Sequence, residues 1–110
     1  MTPEHNLHAV LFPEGGWWIA QVVEYNLATA ARRLEDLPDE LERFLTVQIV
    51  GTFEAGVEPF CDLPAAPARF RDLYAEAARS VEPERRLLRL PAEVPVRASV
   101  EMVVAQSSSG

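Results

Sequence analysis

Two histidines, one cysteine and a run of acids are the residues of this chain best suited to chemistry. His5 and His8 have the spacing HxxH, but a zinc site needs three or four ligands that converge on one point. A strand or coil here gives the two imidazoles no convergent geometry, and no third ligand follows nearby in sequence. We therefore expect neither a metal nor a cofactor.

Cys61 is the only cysteine, so an internal disulfide is excluded. It follows Phe60 and has no obvious base beside it in sequence. A lone cysteine of this kind usually behaves as a small buried hydrophobe, and reactive thiols need an activating environment. The sequence predicts a buried and unreactive Cys61.

Five acids lie between residues 35 and 42. They are Glu35, Asp36, Asp39, Glu40 and Glu42. Their spacing predicts a solvated stripe on a helix, with the first acids near the positive end of the helix dipole. A nuclease site built on strand carboxylates is not expected, because the predicted strands 7–12, 17–23 and 26–31 contain no acid. The sequence thus predicts a non-enzymatic protein.

The charge of the chain favours a basic partner. Its 110 residues include 10 basic and 17 acidic side chains, for a net charge of -7. Residues 1–31 carry three acids and no base, so the N-terminal half is the anionic half. Because binding to nucleic-acid phosphate depends on cationic neutralisation, direct DNA binding is not expected. The arginines between 69 and 89 give RNA contact only a weak case, since acids are equally numerous in that half.

Side-by-side tryptophans follow a glycine pair in the segment GGWWIAQVVEY. Adjacent residues of a strand point to opposite faces, so one indole is expected to face the core and the other to face elsewhere. An exposed tryptophan is a common interface anchor. We take as candidate partner-binding residues this segment's polar and aromatic positions together with two helix acids: Trp17, Trp18, Gln21, Glu24, Tyr25, Asp39 and Glu40.

The chain pattern predicts an α+β domain. LHAVLF and WWIAQVV form a hairpin around PEGG, and NLATAA is a short third strand. Leucines and phenylalanines spaced by three and four from Leu34 predict an amphipathic helix with Pro38 in its first turn, capped by Glu35 or Asp36 and ended by Gly51. The loop that follows is expected to be anchored by Phe53 and Phe60.

A second helix is predicted over 66–79 and a final strand over 96–104. Residues 80–95 receive no assignment. The predicted order is β-β-β-α-α-β, with both helices on one face of a mainly antiparallel sheet. We expect one domain over residues 1–106 and a flexible tail at 107–110. The chain begins without a signal-like segment and has no apolar run of membrane-spanning length, so a cytoplasmic protein is expected.

The segments LHAVLFPEGGWWIAQ, NLATAARRLEDL and ELERFL resemble the HicB-like antitoxin family over about the first half of the chain. The resemblance implies a partial ribonuclease-H-like fold, related in shape to a double-stranded-RNA-binding domain. The chain departs from the family in having VVEYNL where a proline-rich segment is common, and it lacks the C-terminal DNA-binding domain of many members.

The resemblance also implies a partner, namely a small basic RNA-cleaving toxin that the chain would mask, or an orphan role without one. The alternative is a self-associating, homo-oligomeric module. In that hypothesis residues 96–104 form an exposed strand edge that pairs between subunits, and the arginine-rich region contacts RNA.

Overall fold

Five strands form a single mixed sheet in a computed structural model that describes residues 3–105. The elements are β1 (Glu4–Glu14), β2 (Trp17–Val22), β3 (Ala28–Ala31), a 3-10 turn (Leu34–Asp36), α1 (Leu37–Glu54), α2 (Ala68–Ser80), β4 (Glu84–Leu87) and β5 (Arg97–Val104). The strand order is β3-β2-β1-β5-β4; β1 and β5 run parallel, and the other neighbours run antiparallel. The protein is therefore α+β, and the predicted tail at 107–110 lies outside the described residues.

The two helices lie on opposite faces of the sheet. In β1, Leu7, Ala9 and Leu11 join the core cluster that includes α1, whereas Val10 and Phe12 join the cluster that includes α2. Successive strand residues point to opposite faces, so these clusters mark an α1 side and an α2 side. The prediction that both helices pack on one face is wrong, because the strands between the helices carry apolar side chains on both faces of the sheet.

α1 buries one stripe of side chains against the sheet. Leu37, Leu41, Leu45 and Ile49 are fully buried and recur every four residues, as the sequence period predicts. Pro38 lies in the first turn, where its missing N–H costs no helix hydrogen bond. The predicted stop at Gly51 is wrong, since the helix continues to Glu54. Neither helix within residues 3–105 is long and apolar enough to cross a membrane.

α2 covers only one end of the opposite face. Phe70, Leu73, Tyr74 and Ala77 pack with Val10 of β1 and with the end of β5, which confirms the predicted apolar stripe of this helix. Towards the start of β1 the same face carries polar residues. This part of the sheet is therefore a polar surface beside a helix-covered core.

The segment without a predicted structure contains β4, which adds to β5 at the edge of the sheet. β5 consequently lies between β1 and β4, and the expectation that residues 96–104 form a free edge is wrong. The edge strands are β3 and β4. The sequence did not reveal β4, because its four residues, Glu84 to Leu87, are mostly charged and show no apolar alternation.

The loop between the helices has one buried anchor. Phe60 is 4% exposed and takes a positive φ of 63°, which a phenylalanine rarely adopts. It stacks on Tyr25, with 4.8 Å between the ring centroids. The second predicted anchor is wrong, because Phe53 lies in the last turn of α1 and is 40% exposed.

Candidate functional site

The tip of the β1–β2 hairpin presents Trp17 to solvent. Gly15 and Gly16 form its two-residue turn with φ values of 57° and 83°, a left-handed conformation that suits glycine and matches the twist of the strands. The Trp17 side chain is 42% exposed, and the Arg32 guanidinium lies over its ring at 4.0 Å from the centroid. A large aromatic surface is thus held on a well-defined turn.

Trp18 faces the other way. It is half-buried and packs against the α1-side core, next to the helix. Its pairing with Pro13 in the hairpin fixes this orientation. The prediction that one indole faces the core is confirmed, and the structure assigns that role to Trp18.

Gln21 is buried and structural. It is 5% exposed, and its amide nitrogen donates to the carbonyl oxygens of Val22 at 3.1 Å and Leu27 at 3.2 Å. These bonds brace the connection from β2 to β3. Gln21 is thus buried under the chain reversal and not exposed, although it also lines the groove described below, and its role in partner binding stays a prediction.

Glu24 and Tyr25 also bind within the protein. The Glu24 carboxylate accepts a hydrogen bond from the backbone N–H of His8 at 2.9 Å and lies 2.5 Å from His8 Nδ1. Tyr25 is half-buried against the α1-side core, where it stacks on Phe60. Both residues fasten the β2–β3 connection to the sheet.

His8 is the centre of a polar cluster that the sequence analysis did not find. Its Nδ1 contacts Glu24, its Nε2 lies 3.7 Å from Glu101 Oε2 on β5, and its ring meets that of Tyr74 edge-on at 5.4 Å. These residues come from three strand regions and α2, so sequence spacing does not reveal them. One signal was detectable in the sequence: His8 and Glu101 are polar residues within otherwise apolar strands.

The buried hydroxyl of Tyr74 has no hydrogen-bond partner among residues 3–105. Burial, followed by the negative charges of Glu101 and Glu24, raises the pKa of Tyr74 above its ordinary value. The side chains of His8, Glu24 and Glu101 are 35%, 30% and 40% exposed, so the cluster lies at the surface and not in a deep cleft. Its geometry suits a polar clamp that joins β1, β5 and the β2–β3 connection.

The acidic stripe of α1 is largely neutralised by arginines. Asp39 lies 2.6 Å and Glu42 lies 3.4 Å from Nη1 of Arg86 on β4. Glu40 pairs with Arg43 at 3.5 Å on the helix surface. The stripe is solvated at Asp39, whose side chain is 74% exposed, and it also links the edge strand β4 to α1 through Arg86, so Asp39 and Glu40 already have partners.

The candidate nucleophile and metal ligands are separated. Cys61 is exposed, which corrects the prediction that it is buried, and local desolvation together with Asp62 raises the pKa of its thiol. His5 packs edge-on against Phe60, 5.5 Å away, whereas His8 meets Tyr74 on the other face of the sheet. Within residues 3–105, no three His, Cys, Asp or Glu side chains are placed to hold a metal ion.

A groove of about 640 Å³ lies between α2 and the outer strands. Five apolar residues line it together with four polar or charged ones: Phe12, Ile19, Ala28, Pro67 and Phe70, and Glu14, Gln21, Asn26 and Arg69. Beside it runs β3, an edge strand with one backbone side unpaired by the sheet. We call Trp17, this groove and β3 the hairpin-end surface.

Comparison of the chain with protein-family models, with curated protein sequences and with solved structures finds no match.

Proposed function

We propose that this chain is a non-enzymatic binding protein that docks a basic protein partner on the hairpin-end surface. The observation that carries the proposal is the exposure of Trp17 beside the Gly15–Gly16 turn. Exposed tryptophans at the centre of an apolar surface are frequent binding hot spots, because they bury a large area at a small entropic cost. Of the seven candidate residues, Trp17 and Asp39 are exposed; Asp39 already pairs with Arg86 of β4, whereas Trp17 offers an apolar surface to a partner.

The groove and the edge strand extend this surface beyond a single side chain. An incoming strand can pair with the free side of β3 through main-chain hydrogen bonds, while its alternate side chains enter the groove. β3 contributes four residues, Ala28–Ala31, so such pairing is short. Trp17, which pairs with the groove residue Glu14 in the hairpin, supplies the apolar anchor that a short strand pairing needs.

The charge of the chain selects the class of partner. A net charge of -7 steers a cationic protein towards the chain and repels nucleic-acid phosphate. The contact surface differs from that expected from the sequence, since the acids of α1 are already paired with Arg86 and Arg43. Electrostatics accelerates the encounter, and apolar contact at the hairpin end holds the complex.

Within this class we propose a HicB-like antitoxin role, in which the partner is a small basic RNA-cleaving toxin. Support comes from the segments that carry the resemblance, because they form a tight hairpin, a third antiparallel strand and an amphipathic helix. After α1 and α2 the chain returns as β5, parallel to β1. Masking a toxin in this way needs no catalytic group on the chain.

The test is calorimetric titration of the chain, at low and at physiological salt, with the product of any gene next to its own that encodes a small basic protein. Trp17→Ala is expected to weaken binding by about 2 kcal/mol, the loss typical of a hot spot. Phe53→Ala is the matched control, since Phe53 is equally exposed but lies in the last turn of α1. Absence of binding by the unmodified chain at low salt would contradict the proposal.

Self-association through the sheet edges is the second candidate. It is favoured by the free edges of β3 and β4, in place of the β5 edge expected from the sequence. Light scattering separates the candidates: a homo-oligomer that dissociates on insertion of proline into β3 supports self-association, whereas a monomer that binds the basic protein supports docking. A salt-dependent gel shift with RNA would favour the self-associating module with its arginines.

A further inference from the structure

An open cavity of about 560 Å³ lies at the opposite end of the sheet from the hairpin. Asn6 and Ser99 are part of its floor, and they are direct neighbours in the parallel pairing of β1 and β5. β4 and the segment that joins it to β5 form the wall. The volume lies within the range of small-molecule sites, which is about 300–1,000 Å³.

The wall of this cavity is fixed by packing on the other side of the sheet. Leu88 and Val94 are 8% and 7% exposed and belong to the α1-side core. The Leu88 N–H donates to the Ala98 carbonyl oxygen at 2.9 Å, and the Val94 N–H donates to that of Pro91 at 3.0 Å. The cavity is therefore preformed, and a ligand does not have to order the wall in order to bind.

Residues with hydrogen-bond donors line the cavity. Arg85 and Arg97 line it from two strands, and neither forms an ion pair within residues 3–105. The Ser99 hydroxyl, in a residue 3% exposed, donates to Asn6 Oδ1 at 2.9 Å, which leaves the Asn6 amide nitrogen free to donate to a ligand. Glu4 is the single carboxylate of the lining. Guanidinium groups and an amide donor together suit a carboxylate or a phosphate.

Apolar side chains complete the lining next to these donors. Leu87, Leu90 and Val96 line the cavity, and Leu87 is 69% exposed in the structure. An exposed leucine next to these hydrogen-bond donors is suited to cover the apolar part of a ligand. The local excess of two guanidinium groups over one carboxylate also contrasts with the net charge of -7 for the whole chain.

We propose that this cavity binds a small amphipathic anion, whose carboxylate or phosphate head contacts Arg85, Arg97 and the Asn6 amide and whose apolar body lies on Leu87, Leu90 and Val96. The site is separate from the hairpin-end surface, and it does not depend on the proposed function. Binding there places a ligand on the sheet face that α2 leaves uncovered.

The experiment is titration of the full chain with hexanoate, hexyl phosphate and the neutral analogue hexanol, followed by calorimetry and by backbone amide shifts. Arg85→Ala and Arg97→Ala are each expected to weaken binding of the preferred anion by about tenfold, the lower end of the effect of hydrogen bonds to charged groups. Arg71→Ala is the matched control, because Arg71 is an exposed arginine of α2 without an ion pair within residues 3–105. Melting temperatures verify that each variant is folded.

Preference for hexanoate or for hexyl phosphate identifies the head group, and either result supports the proposal. Three results would overturn it: no binding of either anion at millimolar concentration, equal affinity for hexanol, or equal weakening by Arg71→Ala. Because the assay contains no protein partner, a failure here leaves the docking proposal intact. Conversely, Trp17→Ala is expected to bind the anion with unchanged affinity.

Discussion

Replacement of Gln21 by methionine separates a structural role from a partner-binding role. The Gln21 amide donates to the carbonyl oxygens of Val22 and Leu27 at 3.1 and 3.2 Å, while its third contact, with Asn26 Oδ1, is long at 3.4 Å. Each of the two shorter bonds contributes about 1 kcal/mol to folding. Methionine keeps the length of the side chain and introduces no large cavity. Its apolar surface also offsets part of the stability lost with the two hydrogen bonds.

The free energy of unfolding is therefore expected to fall by about 1–2 kcal/mol. For a domain of this size the melting temperature falls by roughly 4–8 °C, at roughly 4 °C for each kcal/mol. Urea and thermal unfolding followed by circular dichroism measure both quantities. Gln48→Met on α1 is the control, since Gln48 is half-buried and makes no side-chain hydrogen bond within residues 3–105; its change should stay within about 0.5 kcal/mol.

An unchanged midpoint for Gln21→Met would refute the reasoning, because it would mean that the buried amide contributes nothing to the β2–β3 connection. A loss of partner binding without a loss of stability would instead restore the interpretation of Gln21 as a contact residue. The two measurements together decide between the roles.

Two further predictions concern pH and the glycines. Because the pKa of Tyr74 is raised, the folded chain keeps this proton at a pH where the unfolded chain releases it, so stability is unaffected below the ordinary tyrosine pKa of about 10 and falls as pH rises above it. Tyr74→Phe should therefore flatten the fall in stability that urea titrations measure between about pH 9 and 11. Equal slopes for the two proteins would contradict this prediction. Gly16→Ala should destabilise by about 1–2 kcal/mol because the residue has a φ of 83°, whereas Gly51→Ala in the interior of α1, with open space at its Cβ position, should stabilise by about 0.5–1 kcal/mol. Urea midpoints that move in the same direction would refute the assignment of these two backbone conformations.

The high-pH experiment is simplified by composition. The chain contains no lysine, since all its basic residues are arginine. Arginine stays protonated throughout this range. The chain has only two tyrosines, so a single substitution isolates the contribution of Tyr74.

The candidate site illustrates how far strand alternation carries sequence reasoning. It predicted opposite directions for Trp17 and Trp18, and the structure bears this out. It failed for Gln21, because the polar position faces a chain reversal that buries it and satisfies its amide. Parity gives the face of a strand, but whether that face meets solvent depends on what else folds over it.

The acidic stripe and the arginines show the same limit for charge. Asp39 and Arg86 are 47 residues apart in sequence, yet they form an ion pair because β4 joins the sheet beside α1. The sequence shows the equal numbers of acids and arginines in the half of the chain that contains Arg86. It could not pair them, since the strand that carries Arg86 had no recognisable pattern.

The sequence by itself determined the local elements of this protein. Gly15 and Gly16 specify the hairpin turn, and the spacing of Leu37, Leu41 and Leu45 specifies the face of α1, because each depends on residues only a few positions apart. Only the tertiary structure decided that the helices cover opposite faces, that β5 is an interior strand, and that distant residues meet around His8. Those features depend on pairing between remote segments, where local patterns are equally compatible with several arrangements.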